Sequence, residues 1–102
     1  MPRYGWAPAK NEWLLRHRGV SFEQVVWHIA EGHLLDVLVS DKDRYKGQRQ
    51  FVVAMQDYVY LVPFAEDGEA LFLKTIIPSR KLTKRYLPRK GAANGTTEPG
   101  GA

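Results

Sequence analysis

The chain has 102 residues, 44% apolar and 25% charged, with a net charge of +4 and no cysteine. That length supports one domain with one core. The lack of cysteine excludes disulfides, cysteine-ligated zinc, iron–sulfur clusters and thiol catalysis, and no apolar run approaches the roughly 20 residues of a membrane-spanning helix.

Met1-Pro2-Arg3-Tyr4-Gly5-Trp6 has neither a hydrophobic core nor a small-residue cleavage site, so no secretory signal is expected and the reading is cytoplasmic. Tyr4 to Trp6 can add a short edge strand. A first helix is predicted to begin near Pro8, a residue suited to a first helical turn, and to run through Trp13, Leu14 and Leu15 to Gly19. Ser21 with Gln24 makes a Ser-x-x-Gln capping box, and Val20 can staple onto Val25 across it. Phe22, Val25, Val26 and Ile29 follow at i, i+3, i+4 and i+7, one apolar stripe of a second, amphipathic helix that Gly32 closes. Leu34 to Val39 then reads as a strand broken only by Asp36, and Ser40 to Gly47 as a charged loop. Phe51 to Met55 and Tyr58 to Phe64, separated by Gln56-Asp57, predict a tight antiparallel hairpin. Ala65 to Glu69 reads as a second turn and Ala70 to Ile77 as the next strand. Pro63 marks an edge or a bulge, and Ser79 is placed to cap a short helix through about Tyr86.

The expected architecture is α+β: two N-terminal helices packed on an antiparallel four-stranded meander, followed by a short basic C-terminal helix. One domain is expected over residues 1–90. Residues 91–102, small, polar and glycine-rich, are expected to be a flexible tail.

Charge is gathered in one place. Residues 74–90 hold Lys74, Arg80, Lys81, Lys84, Arg85, Arg89 and Lys90 without one acid. Such a segment points to RNA or DNA phosphates, an acidic partner protein or a membrane surface. The competing reading is a solvated basic helix end with no partner.

Two stretches carry a family resemblance. Trp6-Ala7-Pro8-Ala9-Lys10-Asn11 followed by Arg18-Gly19-Val20-Ser21-Phe22-Glu23 resembles the opening of the BrnT family of bacterial toxins, and Ile76-Ile77-Pro78-Ser79-Arg80-Lys81-Leu82-Thr83-Lys84 resembles that family's closing motif. The resemblance covers about residues 4–87. It implies a RelE-like fold and the toxin of a type II toxin–antitoxin system, a metal-independent endoribonuclease that cleaves mRNA and slows growth. It also implies a cognate antitoxin as partner, RNA as substrate, no cofactor or membrane, and a hetero-oligomer with the antitoxin bound to operator DNA. Arg44-Tyr45-Lys46-Gly47-Gln48-Arg49-Gln50 replaces a stretch in which the family carries His and carboxylates, and Ala7 and Thr75 replace its Asp and Arg.

RNA cleavage by its own 2′-hydroxyl needs a group that takes a proton, a group that neutralises charge and a group that protonates the leaving oxygen. Arg80, just after the last strand, and Lys74, within it, are the leading candidates for the charge role, because Arg grips two phosphate oxygens and Lys supplies a point charge. If Ser79 caps a helix, its amides add a phosphate nest beside Arg80. Tyr45 can stack a base or donate a proton and Arg49 can orient a phosphate, completing the catalytic set. Arg44, Lys46, Lys81, Lys84 and Arg85 are the remaining nucleic-acid-binding candidates. The bland readings are a salt bridge or helix-end role for Arg80, a plain solvent-facing Lys74 and a charged loop at 44–49. Tyr86 is expected to pack the last helix, and Tyr58 and Tyr60, on one strand face, to pack beneath the helices. His17 and His28 are expected to face solvent and His33 to be half-buried. The three make no metal site, having no helical i, i+4 pair. A non-catalytic nucleic-acid-binding or regulatory module is the alternative function, and a plain interaction protein with an acidic partner the third.

Overall fold

A computed structural model of the chain describes residues 3–39 and 48–87. The expected 91–102 tail lies outside them. The elements in order are β1 (Arg3–Gly5), α1 (Pro8–Arg18), α2 (Phe22–Ala30), β2 (Leu34–Val39), β3 (Arg49–Met55), β4 (Tyr58–Asp67), β5 (Ala70–Leu73), β6 (Ile77–Pro78) and α3 (Arg80–Tyr86). The class is α+β, as expected. The sheet departs from a plain four-stranded meander: it has six strands in the order β1-β5-β4-β3-β2, β6 pairs with β4, and β1 runs parallel to β5. No helix among the described residues is long and apolar enough to cross a membrane.

The helical pair forms through the local signals its sequence carries. Gly19, at φ 69°, adopts the left-handed conformation that ends α1, and its N–H bonds the Leu15 carbonyl. At α2, the Ser21 hydroxyl accepts from the Gln24 N–H and the Gln24 side chain accepts from the Ser21 N–H, closing the capping box. Asn11 of α1 completes the junction. Its Oδ1 accepts from the Phe22 N–H at 2.7 Å, and its Nδ2 donates to Glu23 at 2.8 Å. One amide thus satisfies an orphan donor in the first turn of α2 and locks the two helices together.

The sheet is built on β4. Gln56 and Asp57, both at positive φ, make the two-residue turn that joins it to β3, with Met55 opposite Tyr58. β4 continues to Asp67, so the following turn shrinks to Gly68-Glu69, and Ala65 and Glu66 are strand. The expected strand from Ala70 to Ile77 is interrupted. Phe64 pairs with Leu73 but Leu61 with Ile77, so four steps on this strand oppose three on β4: a one-residue bulge. It lies opposite Pro63, which has no N–H to offer and whose carbonyl accepts from the Lys74 N–H. The extra residue changes which side chain enters the core. Simple alternation would send Thr75 and Ile77 inward with Leu73, whereas the bulge buries Ile76 completely and leaves Ile77 at the surface. Arg18, at the end of α1, donates to the Ile76 carbonyl at 2.6 Å and pins the bulge from the helical side.

The core lies between α1–α2 and one sheet face, with Leu14, Phe22, Val25, Phe51, Val53, Val62, Phe64 and Leu73 at its centre. Tyr60 packs against it, with its ring centroid 5.7 Å from Tyr58, so this pair turns toward the helices as expected. Val52 and Val59 are also fully buried, but their register directs them to the other face, and there α3 lies over β4. β2 is a sheet edge with Leu35, Val37 and Val39 exposed, Val39 at 63%.

Removing the side chain of Arg18 leaves a part-buried carbonyl without its charged donor, which costs about 1–3 kcal/mol. Arg18→Ala is expected to lower the unfolding free energy by that amount, seen as a lower urea midpoint with an unchanged slope. Asn11→Ala is expected to cost a similar ~1–3 kcal/mol and to have a pH signature. The Asn11 hydrogen bond is the main reason that the Glu23 carboxyl sits below its usual value. This contribution is present above the ordinary Glu range and is lost as pH falls through the lowered folded value. In Asn11→Ala, NMR titration should show the Glu23 carboxyl returning upward and the acid-side loss of stability becoming smaller.

Candidate nucleic-acid interface

The local chemistry of α3 decides which of its residues face outward. The Ser79 hydroxyl accepts from the Leu82 N–H at 3.2 Å, capping the helix as expected. Thr83 then joins helix to sheet: its Oγ1 donates to the Ser79 carbonyl at 2.7 Å and accepts from the Val59 N–H at 2.8 Å. With Leu82, Thr83 and Tyr86 turned to the sheet, Arg80, Lys81, Lys84 and Arg85 are all exposed. At the far end the Tyr86 hydroxyl donates to Asp36 of β2 at 3.1 Å, so α3 crosses the second face from β4 to the β2 edge. That bond to Asp36 raises the Tyr86 phenol above its usual value.

None of the four α3 cations is ion-paired among the described residues, whose only ion pairs are Arg16–Glu12 at 4.0 Å and Arg49–Glu66 at 2.7 Å. The surplus of positive charge is therefore presented to solvent as a helix face. The Ser79 hydroxyl takes the Leu82 amide out of the expected phosphate nest beside Arg80, and the Thr83 amide makes the first helical bond to the Ser79 carbonyl.

Of the four residues expected to act together in catalysis, the three described ones, Arg80, Arg49 and Lys74, do not form one cluster. Arg80 opens α3, next to Ser79, whose N–H bonds the Val59 carbonyl. Arg49 opens β3, opposite Phe64, further along β4. Five residue steps along β4, from Val59 to Phe64, separate these positions, about 17 Å. The Arg49 guanidinium is held by Glu66 and lies 5.0 Å from the centroid of the Phe64 ring, so its charge is already matched. Lys74 is exposed beside the bulge, between these two positions. Tyr45, Arg44 and Lys46 lie outside the described residues.

The histidines are placed differently from expectation. His28 is half-buried and His33 exposed, and the two rings lie 5.3 Å apart, centroid to centroid. The chain reverses at Gly32, φ 90°, and the His33 N–H bonds the His28 carbonyl at 2.9 Å, bringing the second ring back beside the first. Both line an open cleft of about 220 Å³ at the hairpin end of the sheet, with Ala54, Met55, Gln56, Asp57 and Leu87. A spacing of five residues is neither a helical nor a strand pair, so the only sequence cue was the helix stop between them. His17 is exposed as expected; its ring stacks on Trp13, and its Nδ1 lies 3.1 Å from the Trp13 carbonyl.

A second open depression, about 440 Å³, is lined by Trp6, Asn11, Glu12 and Glu23 among others, and its two carboxylates make it unsuited to phosphate. Among the described residues no three His, Asp or Glu side chains converge as a metal site.

The Tyr86–Asp36 bond gives α3 a spectroscopic reporter. In ultraviolet titration, Asp36→Ala is expected to return one tyrosine toward the ordinary phenol value while the folded far-ultraviolet signal is kept; an unmoved tyrosine profile would mean that α3 does not reach β2. Comparison of the chain with family models, with curated proteins and with solved structures finds no match.

Proposed function

We propose that this protein binds RNA through the exposed face of α3 and acts as a metal-independent endoribonuclease, the toxin of a type II toxin–antitoxin pair with a RelE-like fold and a cytoplasmic site of action. The observation that carries the reading is the α3 face itself: Arg80, Lys81, Lys84 and Arg85 project together with no acid beside them in sequence or in an ion pair among the described residues. A helix stripe of four cations follows a phosphate backbone, and Arg80 and Lys84 lie one turn apart. The antitoxin, in this reading, covers that face with an acidic segment, taking Arg80 into the contact, and the resulting hetero-oligomer binds operator DNA.

A second reading has an observation of its own. Arg49 is matched by Glu66 and stands far from Arg80, which favours a non-catalytic RNA-binding or regulatory module that keeps the basic face alone.

One set of measurements separates these readings. The purified full chain is expected to bind single-stranded RNA with an affinity that falls as salt rises. Lys84→Ala and Arg85→Ala together should reduce the slope of log affinity against log salt by about 1.4, since each phosphate contact contributes roughly 0.7 on single strands. An unchanged slope would remove α3 from the interface. Induced expression should arrest growth, bulk RNA should be cut in EDTA, and Arg80→Ala and Lys74→Ala should relieve both effects; salt-dependent binding with intact RNA and normal growth selects the binding module.

A further inference from the structure

Among the described residues, the catalytic candidates put forward so far, Arg80, Lys74 and Arg49, supply charge but no proton transfer. The hairpin-end cleft supplies what they lack, and we propose that His28 and His33 are the general base and general acid of RNA cleavage in this protein. This rests on the ribonuclease reading above.

Four observations carry the assignment. The first is pairing: two imidazoles 5.3 Å apart line one open cleft, though the helix stop at Gly32 lies between them in sequence. The second is the state of His28. Its Nδ1 lies 2.7 Å from the Gln24 carbonyl, an oxygen that can only accept, so Nδ1 carries the proton and the lone pair of the neutral ring is on Nε2. A ring held in one tautomer by a backbone carbonyl is prepared to take a proton. His33, exposed on the cleft rim, is free to carry its proton to a leaving group.

The third observation is size. At about 220 Å³ the cleft is below the 300–1,000 Å³ typical of small-molecule pockets, and being open it suits one linkage of a passing chain better than a whole enclosed ligand. The fourth is location. Leu87, at the end of α3, forms part of the cleft wall, and Lys84 stands one turn before it on the basic face. An RNA strand following α3 is delivered to the histidines.

The step balances without metal or covalent intermediate. His28 Nε2 removes the proton of a ribose 2′-hydroxyl, and that oxygen attacks the adjacent phosphorus. The bond from phosphorus to the 5′-oxygen of the next nucleotide breaks, and the His33 imidazolium protonates that oxygen. The products are a 2′,3′-cyclic phosphate and a 5′-hydroxyl, and a second proton exchange with water resets the pair. Among the described residues, Asp57 is the one carboxylate lining the cleft with the imidazoles. Its carboxylate stands on the hairpin turn, and the α3 cations offset its repulsion of phosphate.

The test uses the full chain with a single-stranded RNA oligonucleotide in EDTA, comparing wild type with His28→Ala, His28→Asn, His33→Ala and His17→Ala. Binding is read separately by fluorescence anisotropy on the 2′-O-methyl analogue, which lacks the nucleophile. Wild type is expected to leave 2′,3′-cyclic phosphate ends, with a bell-shaped dependence of rate on pH. His28→Ala should lose the acid limb and His33→Ala the alkaline limb, each with a rate at least ~100-fold lower and analogue affinity within about twofold of wild type. His28→Asn, whose Nδ2 stands where Nδ1 does and retains a donor for the Gln24 carbonyl, should be as slow as His28→Ala while melting close to wild type. His17→Ala should cut normally. Cleavage undiminished in both histidine variants overturns this assignment and leaves the ribonuclease reading in place. Analogue affinity lost in step with rate also overturns it, making the pair a binding element. Wild type that binds RNA but never cuts it overturns both.

Discussion

One extra residue between β5 and β6 sets the plan of the molecule. β4 runs through the middle of the sheet and bonds partners on both sides, yet Pro63 within it has no N–H. The neighbouring strand answers with a bulge, and the parity of every later side chain changes. Ile76 falls into the core in place of Thr75, Ile77 is turned out, and the chain reaches Ser79 ready to start a helix on the face away from α1 and α2. Arg18 fixes that choice from the opposite layer by holding the Ile76 carbonyl. A proline, a bulge and an arginine so determine that the basic helix and the helical pair occupy different sides of one sheet.

That separation organises the electrostatics. The face under α1 and α2 is spent on the core, and the acids Glu12 and Glu23 lie at its surface. The second face needs only a thin cover over Val52 and Val59, and a helix of seven residues suffices. Because Leu82, Thr83 and Tyr86 are enough to attach it, the remaining four positions are free to be cationic. The two layers meet at the hairpin end, where α2 ends, β2 begins, the β3–β4 turn closes and α3 finishes. Titratable side chains from separate elements gather there, which is the usual setting for a site held by a rigid scaffold.

The Asn11 junction shows how local and tertiary signals reinforce one another. The capping box at Ser21 and Gln24 would start α2 on its own, but the Phe22 N–H finds its acceptor on α1, eleven residues earlier. The two sequence pieces Lys10-Asn11 and Phe22-Glu23 are thus in direct contact, and Trp6 stacks on Phe22 at 5.6 Å to close the same corner. Agreement between levels of this kind is what makes a sequence specify one arrangement.

What the sequence determined by itself was everything that depends on near neighbours. Gly19 had to end a helix, Ser21 and Gln24 had to cap one, Gln56-Asp57 had to turn a hairpin, and Ser79 had to cap α3, because in each case the donor and acceptor lie within four residues. The clustering of cations in residues 74–90 was equally plain. The tertiary structure alone decided the rest. Pro63 signalled an edge or a bulge, but only the strand beside it could show that the bulge lies there and sends Ile76 inward. Arg49 looked like a free cation until Glu66, seventeen residues later in the chain, took its charge. His28 and His33 looked unrelated because they belong to different elements, and a helix stop, not a periodicity, folds them together. Pairings across a sheet or around a helix end follow from long-range register, and no local spacing encodes that.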